Sequence, residues 1–266
     1  MIIKYLFVLF VVFIAWKYLG SIKRESDENG KITLKRKAFL TGLALLILVK
    51  GSPLTSLGHS LFFVHMIQQS ILYLAVPPLL LYGLPDSAGY FLNKVHGIRA
   101  IVHFFAKPLI ALVLFNALFS FYHIPIIFDW LMSNMLYMNI ASIILFTASV
   151  TMWLPIISPV AFARLELTPL VKMGYIFGMG ILLTPACALI IFSKEILYET
   201  YVNMPRLFGV GILDDQQSGG VIMKVMQEII YGTILTIIFF KWVKDDREKT
   251  KIEDKKREDR VKRLIK

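Results

Sequence analysis

The stretch LFFVHMIQQSILYLAVPPLLLYGL, Leu61–Leu84, decides the fold class. It carries no Asp, Glu, Lys or Arg, and it exceeds the roughly 20 predominantly apolar residues that cross a bilayer as a helix. Working outward, six further stretches have the same character: approximately Ile2–Leu19, Ala38–Leu57, Pro108–Phe128, Met135–Ile157, Met173–Phe192 and Val221–Val243. The second is the least clean, because Lys50 and Pro53 interrupt its outer end. The first resembles a signal peptide in length, but only Ala15-Trp16-Lys17-Tyr18 follows its apolar run, with no small-x-small cleavage site, so it reads as an uncleaved span. The expected fold is all-α: a polytopic membrane helical bundle of about seven transmembrane helices over 1–243, with a charged tail over 244–266.

Composition agrees. Of 266 residues, 57% are hydrophobic and 18% charged, with a mean hydropathy of +0.67; soluble domains carry about 25% charged residues. A disordered chain, a disulfide-stapled secreted domain and an ordinary cytosolic enzyme are all excluded. The lone cysteine, Cys187, has no partner for an intramolecular disulfide or a Cys-x-x-Cys site.

The net charge of +11 is topological. The segments Lys17–Lys37, Asp86–Lys107, Ile157–Lys172 and Lys241–Lys266 hold 24 of the 29 basic residues. They alternate with segments carrying only Lys4, Lys50, Lys194 and Arg206, while Lys224 lies inside the last span. By the positive-inside rule the N-terminus lies outside and the C-terminus in the cytoplasm of a bacterial plasma membrane. Nucleic acid is not needed as a partner. The tail from Lys244 mixes 11 basic with seven acidic residues and reads as a solvated segment near anionic lipid headgroups.

Polar side chains inside spans usually face the bundle interior or a wet cavity. His65 and Gln69 share a helical face, with Gln68 beside them, and the following Pro77-Pro78 should kink or locally unwind the inner half. Asn116, Ser120 and His123 form a second stripe, and Lys224, Gln227, Glu228 and Tyr231 a third. His59, His65, His123 and the run Asp214-Asp215-Gln216-Gln217 all belong to the outer half. Histidines gathered there suit copper or zinc; two imidazoles on facing helices also suit a haem. The bland alternatives differ by residue. His59, His96 and His103 read as interfacial or hydrogen-bonded. His123 either caps its helix before Pro125 or is functional, and His65 reads as functional. Lys224 and Glu228 form an i, i+4 ion pair that eases insertion. Met66 sits about 100° around the helix from His65, which disfavours both on one ion without distortion. No Walker pattern, zincin motif or nucleophile elbow is present.

Three stretches carry a resemblance: His65-Met66-Ile67-Gln68-Gln69 running into Ala75-Val76-Pro77-Pro78-Leu79-Leu80-Leu81-Tyr82-Gly83-Leu84-Pro85, then Phe121-Tyr122-His123-Ile124-Pro125, then Asp215-Gln216-Gln217-Ser218-Gly219-Gly220-Val221-Ile222-Met223. Together they resemble the CtaG family of bacterial cytochrome c oxidase assembly factors, of the seven-span type associated with caa-type oxidases. The resemblance implies a multi-pass plasma-membrane protein that matures the oxidase, at the copper-insertion step, with oxidase subunits and a copper donor protein as partners. His65, Met66, His123, Asp215, Gln216 and Gln217 match by motif position. Gln69 stands where the family pattern has a second His, and Lys224 where it often has Trp. The first departure removes a His-x-x-x-His pair, and an amide is a poor Cu(I) ligand.

On this reading His65 and His123 hold copper on the outer side, with Met66 as a further candidate ligand. Asp215 and Gln217 orient the imidazoles, and Gln68, Gln69 and Gln216 complete the polar site. A metal-free scaffold for the oxidase catalytic subunit is the second reading, and a copper or small-solute transporter the third. A catalytic role ranks last, since no nucleophile and base pair is evident.

Overall fold

The computed structural model describes residues 2–22, 31–85, 94, 96–159, 162, 165–205 and 208–264. Among these the chain is helical throughout, with no strand. In chain order the helices are α1 Ile2–Ile22, α2 Lys31–Lys50, α3 Leu54–Ser60, α4 Phe62–Ser70, α5 Val76–Gly83, α6 His96–Phe105, α7 Pro108–Tyr122, α8 Pro125–Met132, α9 Met135–Trp153, α10 Pro169–Ile191 and α11 Ile212–Leu264. A π-helical turn, Ile71–Ala75, joins α4 to α5, and a 3-10 turn, Glu199–Tyr201, lies before α11.

Four helices are long and apolar enough to cross a membrane: Phe62–Gly83, Met135–Trp153, Pro169–Ile191 and Ile212–Arg260. Two bent pairs raise the number to six among the described residues: Thr33–Lys50 with Leu54–Ser60 at 49°, and Arg99–Phe105 with Pro108–Tyr122 at 79°. These six overlap the second to seventh expected spans, and α1 lies over the first. Both bends sit where a proline removes a backbone donor, Pro53 in one and Pro108 in the other.

The stretch that decides the fold is also the most deeply buried of the four spans. Its double proline does not break it. Pro77 cannot donate to the carbonyl of Tyr73, four residues back, so the helix widens to a π turn in which the Val76 N–H reaches the carbonyl of Ile71. The Tyr73 carbonyl is taken instead by the hydroxyl of Ser149 on α9. A neighbouring helix thus satisfies a group that lipid could not. α2 packs along α5, where a side chain at Gly42 would press on Leu80 at 2.9 Å. α1 joins this side through Val11 and Tyr18; the Tyr18 ring stacks on Phe39 at 4.1 Å and its hydroxyl donates to the Gly83 carbonyl at 2.9 Å.

The fourth expected span, Pro108–Phe128, is corrected by the structure. The helix stops at Tyr122 because Ile124 precedes Pro125 and takes an extended conformation (φ −65, ψ 126), and Pro125 then opens the short helix α8. The last span begins earlier and ends later than its apolar run: α11 is one helix of 53 residues. At 1.5 Å per residue it is about 80 Å long, against a hydrocarbon core of about 30 Å. The charged segment from 244 continues this helix to Leu264.

Candidate functional site

The site is built from the start of α4. The first amides of a helix have no partner within it, and here the carboxylate of Asp215, near the start of α11, accepts from the N–H of Phe62 at 3.0 Å and of Phe63 at 2.8 Å. Asp215 is buried, and these charge-assisted bonds tie α11 to the first turn of the helix that carries His65. The two glutamines that follow grip the preceding loop. Gln216 accepts from the Leu197 N–H at 2.7 Å and donates to the Glu195 carbonyl at 3.1 Å, while Gln217 donates to the Ser193 carbonyl at 2.8 Å. The expectation that Asp215 and Gln217 orient imidazoles directly gives way to a different role: each bonds backbone and fixes the segments around the site.

His65 is buried one turn into α4. Its Nε2 lies 3.1 Å from the Tyr122 hydroxyl and 3.1 Å from Gln69 Nε2, which also donates to the Tyr122 hydroxyl at 3.2 Å. An amide nitrogen only donates, so His65 Nε2 is the acceptor. The lone pair that a metal would use is therefore held by Gln69. The other end of that amide, Gln69 Oε1, is buried without a partner. Tyr122 and His65 lie nearly parallel, 6.3 Å between ring centres and 5° between planes, and Phe128 meets the imidazole edge-on at 5.4 Å.

His123 is the residue that ends α7. Its Nδ1 lies 2.7 Å from the Phe119 carbonyl, which can only accept, so the proton resides on Nδ1. Nε2 then carries a lone pair, and it is buried without a hydrogen-bond partner. The ring packs at 4.4 Å on Phe119 and 5.1 Å on Tyr122. Tyr122 thus touches both imidazoles. The backbone of His123 is held by the Tyr198 hydroxyl, which donates to its carbonyl at 2.9 Å.

Met66 is fully buried and turns toward α11, where a side chain at Gly219 would meet its Cγ at 3.1 Å. Gln68 donates to the Leu54 carbonyl at 2.5 Å, linking α4 back to α3. Gln69, Gln68 and His65 line a small cleft together with Lys50, Thr55, His59, Tyr122 and Ser142. Of the remaining histidines, His96 lies on α6 and His103 stands 6.2 Å from Phe162. Among the described residues no three His, Cys, Asp or Glu side chains converge as a metal-binding group. The third polar stripe gathers elsewhere: Lys224 reaches Glu228 at 2.7 Å and Thr184 at 3.1 Å.

Several residues at the site escape a reading of the histidines alone. Tyr73 lies four positions after Gln69 on the same face, and its hydroxyl donates to Ser142 at 3.1 Å; the i, i+4, i+8 spacing was the available signal. Asp129 accepts from the N–H groups of Glu199 and Thr200 at 3.1 and 3.0 Å, forming the 3-10 turn. That turn presents Tyr201, whose hydroxyl donates to the Gly58 carbonyl at 2.9 Å. Burial, with a smaller contribution from Asp129, raises the Tyr198 phenol, and burial likewise raises the Tyr201 phenol well above its ordinary value. Both therefore remain neutral donors over the physiological range.

A family model described as cytochrome c oxidase caa3 assembly factor matches residues 18–245. No curated protein and no solved structure matches the chain.

Proposed function

The chain belongs to the cytochrome c oxidase caa3 assembly factor family, and from that premise we propose that it assists copper insertion into a haem–copper oxidase at the outer face of a bacterial plasma membrane. The observation that carries the copper step is His123: a buried imidazole protonated on Nδ1, with the Nε2 lone pair unpartnered. That is the tautomer a metal-binding imidazole adopts when a backbone carbonyl holds its other nitrogen. Cu(I) is content with two or three imidazole or thioether ligands, and as cargo it must leave as readily as it arrives. His65 joins His123 when the Gln69 amide swings away from Nε2, so Gln69 competes with the ion and keeps the site exchangeable. Oxidase subunits receive the ion and a copper donor protein supplies it. On this reading the chain crosses seven times with its N-terminus outside, so the cluster would lie on the outer side, a reading supported by the uneven distribution of basic residues.

A metal-free scaffold for the oxidase catalytic subunit is the second reading. It is supported by Gln69 occupying His65 Nε2 and by the cation Lys50 in the same cleft, which disfavours a second positive charge. The copper content of protein purified after Cu(I) loading under reducing conditions separates the two. Copper insertion predicts about one ion per chain, lost in His123→Ala and reduced in His65→Ala, with Gln69→His tightening retention. Equal copper in all four proteins removes the site. Normal oxidase activity and copper occupancy after deletion of the gene would remove the assembly role itself.

A further inference from the structure

Lys224 lies about 5 Å and Glu228 about 10 Å along α11 from Val221, where the apolar run of the last span begins. Charged groups at membrane depth almost always face the bundle interior or a watery cavity. Glu228 does not: its side chain is 62% exposed, while Lys224, at 28%, is partly covered. Val221, Val225 and Ile229 beside the pair on α11 are exposed, and α10, which packs along α11, exposes Ile181 and Leu182. Such a polar spot on an apolar face is what a covering membrane helix would bury.

The chemistry of the spot is one-sided. An ammonium has three protons, and Lys224 directs them to Glu228 at 2.7 Å, the Thr184 hydroxyl at 3.1 Å and Gln227 Oε1 at 3.4 Å. Gln227 is itself fully buried and donates to Glu228 Oε1 at 3.4 Å. All these donors converge on one side of the carboxylate, so the spot offers a partner acceptor capacity only. A second copy of this chain would bring the same acceptor face, with two Glu228 carboxylates opposed. A helix that brings a hydrogen-bond donor fits.

We propose that the α10–α11 face centred on Glu228 is the intramembrane docking surface for an oxidase transmembrane helix bearing a hydrogen-bond donor at that depth. The proposal rests on the assembly role above and names how the client is held. Helix association in membranes relies on packing and interhelical hydrogen bonds rather than on the hydrophobic effect, so one well-placed acceptor on an otherwise apolar face specifies both partner and register.

The test places the photo-crosslinking residue p-benzoylphenylalanine at Val225 in the full chain, in membranes that also contain the oxidase. Irradiation yields an adduct with an oxidase subunit. Exchanging the charges, K224E with E228K, keeps the ion pair but turns a donor outward, and lowers adduct yield about tenfold. Glu228→Gln retains an acceptor without the charge and gives a smaller loss. An adduct only with a second copy or with lipid, or a yield unchanged in both variants, overturns the docking surface. Oxidase activity in the same strains keeps the two claims apart. If deletion abolishes oxidase activity while the exchanged variant restores it with undiminished adduct, the surface alone falls. If deletion leaves activity intact, the assembly role falls and takes the proposed client with it.

Discussion

Asp215 joins parts of the chain that lie about 150 residues apart, through two amides that α4 cannot satisfy itself. Removing its carboxylate leaves those donors buried beside a cavity. Asp215→Ala is expected to lower stability by about 2–3 kcal/mol, read as a lowered midpoint in thermal unfolding of the detergent-purified protein, with Asp215→Asn in between. The same variant should also loosen His65, so any copper bound at His123 alone would survive it better than copper shared by both. That Asp215-Gln216-Gln217 matters was legible in the chain, since an acidic and amide run beside an apolar span has no reason to be there for insertion. What it bonds was not legible, because its partners are backbone groups, and every residue has those. Tyr198 and Tyr201 illustrate the other limit. Their hydroxyls reach carbonyls of His123 and Gly58 only because Asp129 and Gln216 fold the intervening loop. Their phenols are raised by burial, so the loop's stability is fully present below the ordinary phenol value of about 10 and is lost as pH climbs above it.

Prolines set the outline of most helices here, and their positions were readable before any coordinates. Pro53 and Pro108 bend spans, Pro125 ends one, and Pro77-Pro78 stand inside another. The sign of each effect depended on what lay nearby. At Pro125 the Phe121 carbonyl, four residues back, is taken by the Ile124 N–H at 3.2 Å in a tightened last turn, so the fourth span stops at Tyr122 and leaves His123 at its tip. At Pro77 the Ser149 hydroxyl takes up the stranded Tyr73 carbonyl, so the span runs on through a wide turn. Ser149→Ala is expected to cost about 1–2 kcal/mol and to show as faster amide exchange around Tyr73, where Ser149→Thr keeps the hydroxyl and the protection. Span existence was legible from hydropathy because apolar runs of this length have few alternatives. Span ends were not, because they depend on capping groups from distant segments.

For the molecule as a whole, hydropathy foretold the helices long and apolar enough to span a membrane, while the charge count predicts an orientation. The cluster of His65, Gln69 and Tyr122 needed the three-dimensional meeting of α4 with α7. The orientation is open to a direct check. Cys187 is buried, so Ile252→Cys, on an exposed face of α11, provides a single reactive thiol. A membrane-impermeant maleimide should label it in inverted vesicles and leave it untouched in intact cells; the reverse pattern would invert the topology and move the histidines to the cytoplasmic side. The unbroken length of α11 carries one more consequence. With no proline from Ile212 to Leu264, one continuous helix carries both the charged tail and Asp215, which holds the segment bearing His65. A displacement of the tail is therefore expected to be felt beside the imidazole, with Gly219, Gly220 and Gly232 as the places along the way where the helix would give.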